Sequence, residues 1–531
     1  MRSQQYFTVL ICLGLLLQSC APELPSSKIS DSDVAVPKIF PKFQDGVEAA
    51  DSAKPKDMVK IKDIKIKDIG AKNIKHKNAK KGSNLAPVDL TTIDEANSTD
   101  LPSSADIKWQ DFFVDQNLRS LIEMSLANNQ QLNIMDQKIN VAKNEIMARQ
   151  GEYLPKLGAG AGAGLEKVGK ITSQGASDEA TNTPEHLKNK QLGLFSTWEV
   201  DIWKKLRNAA KSAYYNYLAT KEGKNFMVTS LVAEIADNYY ELIMLDKKLE
   251  IVKKYIKTLQ QARDVVQLQK EAARATSLAV RRFDAEVLKN QSRQYTLQQQ
   301  IIITENRLNS LVGRFPQPIA RNSDGLQQPL TQTMQPSVPT KLLDNRPDVK
   351  QAALKLKAAK LDVKVAKARF YPSLSIDAGL GYESFRTKHF FNTPESLFYN
   401  VAANLTAPLL NRMAIKADYL SANNKQIKAI YGYEMVLIRA YSEVANQLAS
   451  INNLQKISSL KAAQVDALVE SVEISNILFK AARIDYLESL LTQRDALKAQ
   501  VELVDVQKQQ LIANVNLYKA LGGGWRKGKS L

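Results

Sequence analysis

Between Phe113 and Ile146 apolar side chains recur every three or four residues, at Phe113, Leu118, Leu121, Ile122, Leu126, Leu132, Ile134, Ile139, Val141 and Ile146. That spacing predicts helix over about 110–150. Pro155 stops it and the period falls to two: Leu157, Ala159, Ala161, Ala163 and Leu165 alternate with Gly158, Gly160, Gly162 and Gly164. Glycine weakens a strand, so such a run implies close backbone approach or a face that must stay small. Residues 167–188 read as a polar loop. A second alternating stretch follows from Gln191 to Val200, with Leu192, Leu194, Ser196, Trp198 and Val200 on one face.

Helical spacing resumes near Trp203 and runs to about Gln269, a rod of roughly 90 Å at 1.5 Å per residue. Its narrow apolar seam, amid Ala, Lys, Gln and Glu, suits a coiled coil. A short connection at 270–277 leads to a further helix from about Leu278 to Leu311. Helices of this length are unusual in an ordinary compact domain. Pro316, Pro318, Pro329, Pro336 and Pro339 then break the pattern, making 314–343 a linker.

Beyond the linker the sequence repeats itself. Asn128-Asn129-Gln130 precedes Pro155 by 27 residues, and Asn345-Arg346-Pro347 precedes Pro372 by the same interval. Tyr153-Leu154-Pro155-Lys156-Leu157 compares with Phe370-Tyr371-Pro372-Ser373-Leu374. Strand alternation returns at Leu374, Ile376, Ala378, Leu380 and Tyr382, then, after a loop at 387–398, at Val401, Ala403 and Leu405, ended by Pro408. A long helix is predicted from about Asn411 to Leu478 and a shorter partner from Ile484 to Lys519. Ala273-Arg274 with Leu278 matches Ala482-Arg483 with Leu487 at an offset of 209 residues, as Leu308 and Gly313 match Leu517 and Gly522. The expected organisation is two structural repeats, 106–313 with a hairpin at 156–201 and 344–526 with a hairpin at 373–408, followed by a tail at 527–531.

Four strands from one chain enclose no lumen and leave two bare edges. Lipid does not tolerate such edges, because unpaired backbone groups there each cost kilocalories. Closure by several identical chains removes the problem, and three chains would give a 12-stranded barrel. The number three does not follow from this geometry.

The first residues place Met1-Arg2 before a short apolar run, Tyr6 to Leu17, and then Gln18-Ser19-Cys20. The run is too short to span about 30 Å of hydrocarbon, so 1–19 reads as an export signal. Leu17-Gln18-Ser19-Cys20 resembles a bacterial lipobox that leaves Cys20 lipidated. Cys12, the only other cysteine, is lost with the signal, so the exported chain would carry no internal disulfide. Residues 20–105 form a tether, with a short strand expected around Ile61 to Ile69. Its stretch from Lys54 to Lys81 holds 11 lysines against three aspartates, within a chain of net charge +18. Export and the lack of an aromatic stacking platform argue against nucleic acid as the partner of that charge.

Together, Trp109-Gln110-Asp111-Phe112-Phe113, Trp198-Glu199-Val200-Asp201-Ile202-Trp203, Asn345-Arg346-Pro347-Asp348-Val349, Tyr371-Pro372-Ser373-Leu374 and the Leu517 to Trp525 ending resemble the outer membrane factor family. Within it the likeness is to lipoprotein members that serve resistance-nodulation-division (RND) efflux systems. The resemblance covers about residues 105–526. It implies a mixed α+β fold: a homotrimer whose outer-membrane β-barrel, four strands per chain, continues into a long α-helical coiled-coil barrel in the periplasm. It also implies a periplasmic adaptor protein and an inner-membrane RND-type transporter as partners. The chain departs from the family in its long basic tether and at Asp201-Ile202-Trp203, where the family often has a glycine soon after a similar Asp-hydrophobic pair.

The resemblance puts the periplasmic entrance at the turns near 270–278 and 479–487. Asp485 and Glu488, three apart on one helical face, then become gate and selectivity candidates, with Arg483 and Arg274 as ion-pair partners that hold the tip shut. Each carboxylate also has the plain reading of a solvated helix face. No catalytic or metal constellation and no cofactor motif stands out. His76, His186 and His389 lie in the tether and two loops, without zinc spacing. The function expected is a passive duct exporting small molecules, with type I protein secretion as the alternative and an exported coiled-coil scaffold as a distant one.

Overall fold

The computed structural model describes residues 107–322 and 345–525, apart from 410, 411 and 482, together with two paired three-residue strands, β1 (Ala35–Pro37) and β2 (Met58–Lys60). The signal segment, Cys20, the strand expected at Ile61 to Ile69, most of the 314–343 linker and the tail lie outside those residues. The elements that follow are α1 (Trp109–Phe112), α2 (Gln116–Asn128), α3 (Gln130–Glu152), β3 (Lys156–Ala163), α4 (Ser173–Ala180), β4 (Lys190–Val200), α5 (Lys205–Glu271) and α6 (Ser277–Val312). After the linker come α7 (Pro347–Ala368), β5 (Ser373–Ser384), β6 (Leu397–Thr406), α8 (Met413–Lys480) and α9 (Tyr486–Ala520). The chain divides into two compact units. One contains Lys138–Thr220 and Ala352–Tyr433; the other contains Ser32–Gln137, Lys221–Gln351 and Glu434–Leu531.

The first unit is built on an antiparallel sheet in the order β3-β4-β5-β6, so the two expected hairpins join through β4 and β5. Residues directly opposite in such a ladder share a face. One face carries Leu157, Leu194, Leu380, Ile376, Val401 and Leu405; the other carries Gln191, Thr197, Asp377, Asn400, Asn404 and the glycines. The Trp198 to Trp203 motif pins the base of this sheet. Trp198 Nε1 donates to the Tyr153 carbonyl at 3.0 Å, and Trp203 Nε1 to that of Pro372 at 2.7 Å. Buried Asp201 accepts from the backbone N–H groups of Leu206 (3.0 Å) and Arg207 (2.9 Å), which caps the start of α5.

The second unit holds the main core. Phe113, Leu118, Ile122, Ile235, Tyr239, Leu242, Leu259, Phe283 and Leu308 are buried there. The single helix expected over 110–150 is three pieces, because side-chain caps outcompete a continuous ladder at two places. Asp115 accepts from the N–H groups of Asn117 and Leu118, and Asn129 Oδ1 from those of Gln131 and Leu132. Similarly, the loop expected at 167–188 contains α4, started by Thr172, whose hydroxyl accepts from Gly175 N–H at 3.1 Å.

Two helix ends are sealed alike. Gly313 and Gly522 follow α6 and α9 at φ +78° and +88°. A Cβ on Gly313 would stand 2.7 Å from the Asn128 carbonyl oxygen, and one on Gly522 2.7 Å from that of Asn345. The last-turn carbonyls are also capped in parallel. Asn129 Nδ2 donates to Leu311 O at 2.8 Å, and Arg346 Nη1 to Ala520 O at 2.9 Å.

Candidate functional site

The two helix turns singled out by sequence both belong to the second unit. Between α5 and α6 the chain reverses over residues 272–276. Ala273 takes a left-handed φ of +56°, and the Arg274 N–H donates to the Gln269 carbonyl at 2.7 Å. Thr276 starts α6 by accepting from the Ala279 N–H at 3.3 Å. Val266, Val280 and Phe283 are buried beneath this turn, and Arg263 spans from α5 to Asp284 of α6 at 3.0 Å.

The α8–α9 turn is built similarly. The Arg483 N–H donates to the Leu478 carbonyl at 2.9 Å, and Asp485 caps α9 by accepting from the Tyr486 N–H at 2.7 Å. Phe479 and Leu490 are buried, with Ile484 and Tyr486 packed against the same core. Each turn thus has an apolar footing and a charged rim.

All four predicted residues lie on those rims. Arg274, Arg483, Asp485 and Glu488 are exposed. Asp485 is the N-cap of α9 and Glu488 sits in its first turn, so both carboxylates also meet the positive end of the helix dipole. The structure brings these two onto one helix start. Among the described residues it forms no ion pair between either carboxylate and Arg274 or Arg483 within the chain.

Sequence reading missed a polar seam farther along the same helices. Gln493, buried on α9, donates from Nε2 to Asn476 Oδ1 of α8 at 3.1 Å, while Gln493 Oε1 and buried Ser475 Oγ have no hydrogen-bond partner among the described residues. The available signal was polar residues at core-facing helical positions. Ion pairs tie the helices as well: Lys461 to Glu502 at 2.6 Å and Lys508 to Glu241 at 2.8 Å.

Among the described residues no group of three or more His, Cys, Asp or Glu side chains is placed to hold a metal ion. No described helix is long and apolar enough to cross a membrane. The sheet segregates apolar from polar surface, and among the described residues β3 and β6 each have one unpaired side. A two-faced antiparallel sheet joined to helices of 67 and 68 residues defines the class as mixed α/β proteins with very long helices.

The family model described as "Outer membrane efflux protein" matches residues 121–314 and 338–523, and the chain belongs to that family. The pyoverdine export outer membrane protein OpmQ of Pseudomonas aeruginosa is 27% identical over 430 residues, 80% of this chain and 89% of that protein. The cation efflux system protein CusC of Escherichia coli O6:H1 is 26% identical over 422 residues, covering 79% and 88%. A solved membrane protein from Pseudomonas aeruginosa shares the fold at TM-score 0.74, with 24% identity, over 78% of this chain and 94% of that one. The family resemblance drawn from the sequence motifs is therefore correct. The protein functions in efflux at the outer membrane and is not an enzyme.

Proposed function

We propose that three copies of this chain form the passive outer-membrane duct of a tripartite pump, closing their sheets edge to edge into one 12-stranded barrel. The observation that carries this reading is the division of the four-stranded sheet into one apolar and one polar face, with sides of β3 and β6 unpaired among the described residues. A membrane barrel requires that division: apolar side chains toward lipid, polar ones toward a wet lumen, and no bare edge. The matched caps at Gly313 and Gly522 support two repeats, 106–313 and 344–526, each contributing two strands and a pair of tunnel helices. A lipid on Cys20 would anchor the N-terminus at the periplasmic face without spanning the bilayer.

The relatives' names point to small-molecule cargo, pyoverdine in one and cations in the other. In this reading a periplasmic adaptor and an inner-membrane RND-type transporter are the partners that supply opening and energy. The facing of the sheet is tested by two single substitutions. Val401→Arg, on the apolar face, costs about 2–4 kcal/mol near the bilayer midplane and eliminates outer-membrane trimers. Ala402→Lys, on the opposite face, leaves them intact. Equal tolerance of both changes in membrane-fraction gels would exclude a lipid-facing role for the apolar face.

We further infer that Asp485 and Glu488 from three chains surround the periplasmic entrance, with Arg274 and Arg483 able to tie the tips across neighbouring chains. Six carboxylates about one axis favour cations. Asp485→Ala/Glu488→Ala is expected to reduce cation preference in single-channel recordings by severalfold. Unchanged reversal potentials in a salt gradient would show that the two residues serve only as a helix cap.

A further inference from the structure

The polar face of the sheet carries two large aromatic side chains, and glycine makes room for both. Phe195 of β4 and Phe398 of β6 approach with ring centroids 6.2 Å apart and planes 29° apart. A Cβ on Gly160 would lie 3.2 Å from the Phe195 ring, and one on Gly379 3.3 Å from it. A Cβ on Gly381 would lie 2.9 Å from the Phe398 ring, and one on Gly193 3.2 Å from it. The two rings therefore rest directly against a floor of bare backbone contributed by three strands. Any side chain at these positions would lift them away. This accounts for glycines that a strand would otherwise exclude.

Carboxylates flank the rings along β5. Along its polar face β5 reads Asp377, Gly379, Gly381, Glu383, so a carboxylate stands one same-face step beyond each end of the glycine pair. Both carboxylates have neutral donors as partners: Thr197 (3.1 Å) and Asn404 (2.8 Å) donate to Asp377, and Asn189 (2.5 Å) donates to Glu383. Among the described residues neither makes an ion pair. The lysine on this face, Lys156, opens β3 opposite Thr197, diagonal to Phe195 as Asp377 is on the other side, and lies away from Phe398 and Glu383, so two carboxylates stand against one ammonium around the pair.

We propose that Phe195 and Phe398 form a contact site for planar aromatic cations on the lumen side of the barrel. The inference rests on the reading that the polar face lines a duct. Stacking on the rings takes up the planar body of such a ligand, while Asp377 and Glu383 attract its charge. Aromatic anions meet the same rings with the charge term reversed.

The test uses the full-length protein in lipid nanodiscs, with ethidium as probe and a naphthalenesulfonate as the anionic control. Phe195→Leu/Phe398→Leu retains apolar bulk and removes the aromatic faces. It is expected to weaken ethidium binding about tenfold, without changing the thermal melting of the protein. Gly379→Ala, whose Cβ would stand 2.4 Å from Asn400 Oδ1 and against the Phe195 ring, is expected to weaken it as well. Unchanged ethidium affinity in the double leucine variant, or equal binding of the naphthalenesulfonate, overturns the site.

Tryptophan probes separate this failure from failure of the duct. In Leu194→Trp, on the apolar face, the indole should be quenched by brominated acyl chains; in Phe195→Trp it should be quenched by aqueous iodide. Lipid quenching at both positions overturns the aromatic site and leaves a membrane-embedded sheet standing. Absence of lipid quenching in Leu194→Trp overturns the barrel reading itself.

Discussion

Arg346→Ala is expected to remove about 3–5 kcal/mol of stability, the cost of breaking a buried charged network on one side. Arg346 is 3% exposed and serves three partners at once. It donates to Asp348 at 3.1 and 2.8 Å, to Glu443 of α8 at 2.8 Å, and to the Ala520 carbonyl at the end of α9 at 2.9 Å. Alanine leaves two carboxylates without their cation and a helix-end carbonyl without a donor. The guanidinium fork meets these partners in fixed directions, so Arg346→Lys, with one compact charge, should recover less than half of the loss. The check is thermal unfolding in detergent by far-ultraviolet circular dichroism, beside recovery of outer-membrane protein. A shift equivalent to less than about 1 kcal/mol would place the interaction with ordinary surface pairs. A double-mutant cycle with Asp348→Ala separates pair energy from the cost of orphaning.

That network explains why Asn345-Arg346-Pro347 and the Leu517 to Trp525 ending stand out together in the sequence. Asn345 supplies the carbonyl that excludes a Cβ at Gly522, and Arg346 caps the carbonyl two residues before that glycine. In the first half Asn128 and Asn129 do the same for Gly313 and Leu311. Motif spacing made this relationship legible because glycine at positive φ is a strict local requirement. Gly523 adds a second constraint, since its Cβ would lie 2.3 Å from the ring of Tyr518, which stacks on Phe112 at 4.2 Å.

Long helices and strands were also readable, because periods of 3.6 and 2 persist over many residues. Helix breaks at Asp115 and Asn129 were not, since the apolar period passes through both without a phase change. Their caps are decided by single side chains competing for backbone N–H groups. The Phe195–Phe398 pair was equally hidden. Each lies on the polar side of its own strand, and only the β4-β5-β6 register brings their rings over shared glycines. The gate candidates were found through family resemblance, while their chemistry in this chain is that of a helix start. Asp485 accepts from the backbone and Glu488 meets the helix dipole, neither of which depends on pore geometry.

Asp237→Asn is expected to raise stability above pH 6 and to flatten its pH dependence below that. Asp237 lies on α5 with Oδ1 buried and without a hydrogen-bond partner among the described residues. Burial pushes its pKa up to about 6 from 3.8, reinforced by Glu234 and opposed by Lys519. A carboxyl raised in the folded state binds its proton more tightly there than in the unfolded chain. The contribution of Asp237 to stability is therefore greatest below pH 3.8, falls as pH rises through about 6, and is level above it. The full span corresponds to at most about 3 kcal/mol, reduced by residual solvent access. Asparagine retains the shape and removes the ionisation, so the variant should gain about 1–2 kcal/mol at neutral pH. The sequence itself supplies a precedent. Glu234-Ile235-Ala236-Asp237 corresponds at the same offset of 209 to Glu443-Val444-Ala445-Asn446, where asparagine already occupies the position. Melting curves of wild type and variant between pH 4 and 8 decide the matter. Parallel curves across that range would mean that Asp237 titrates as an ordinary carboxylate and that its buried oxygen is solvated or bonded in the assembled protein.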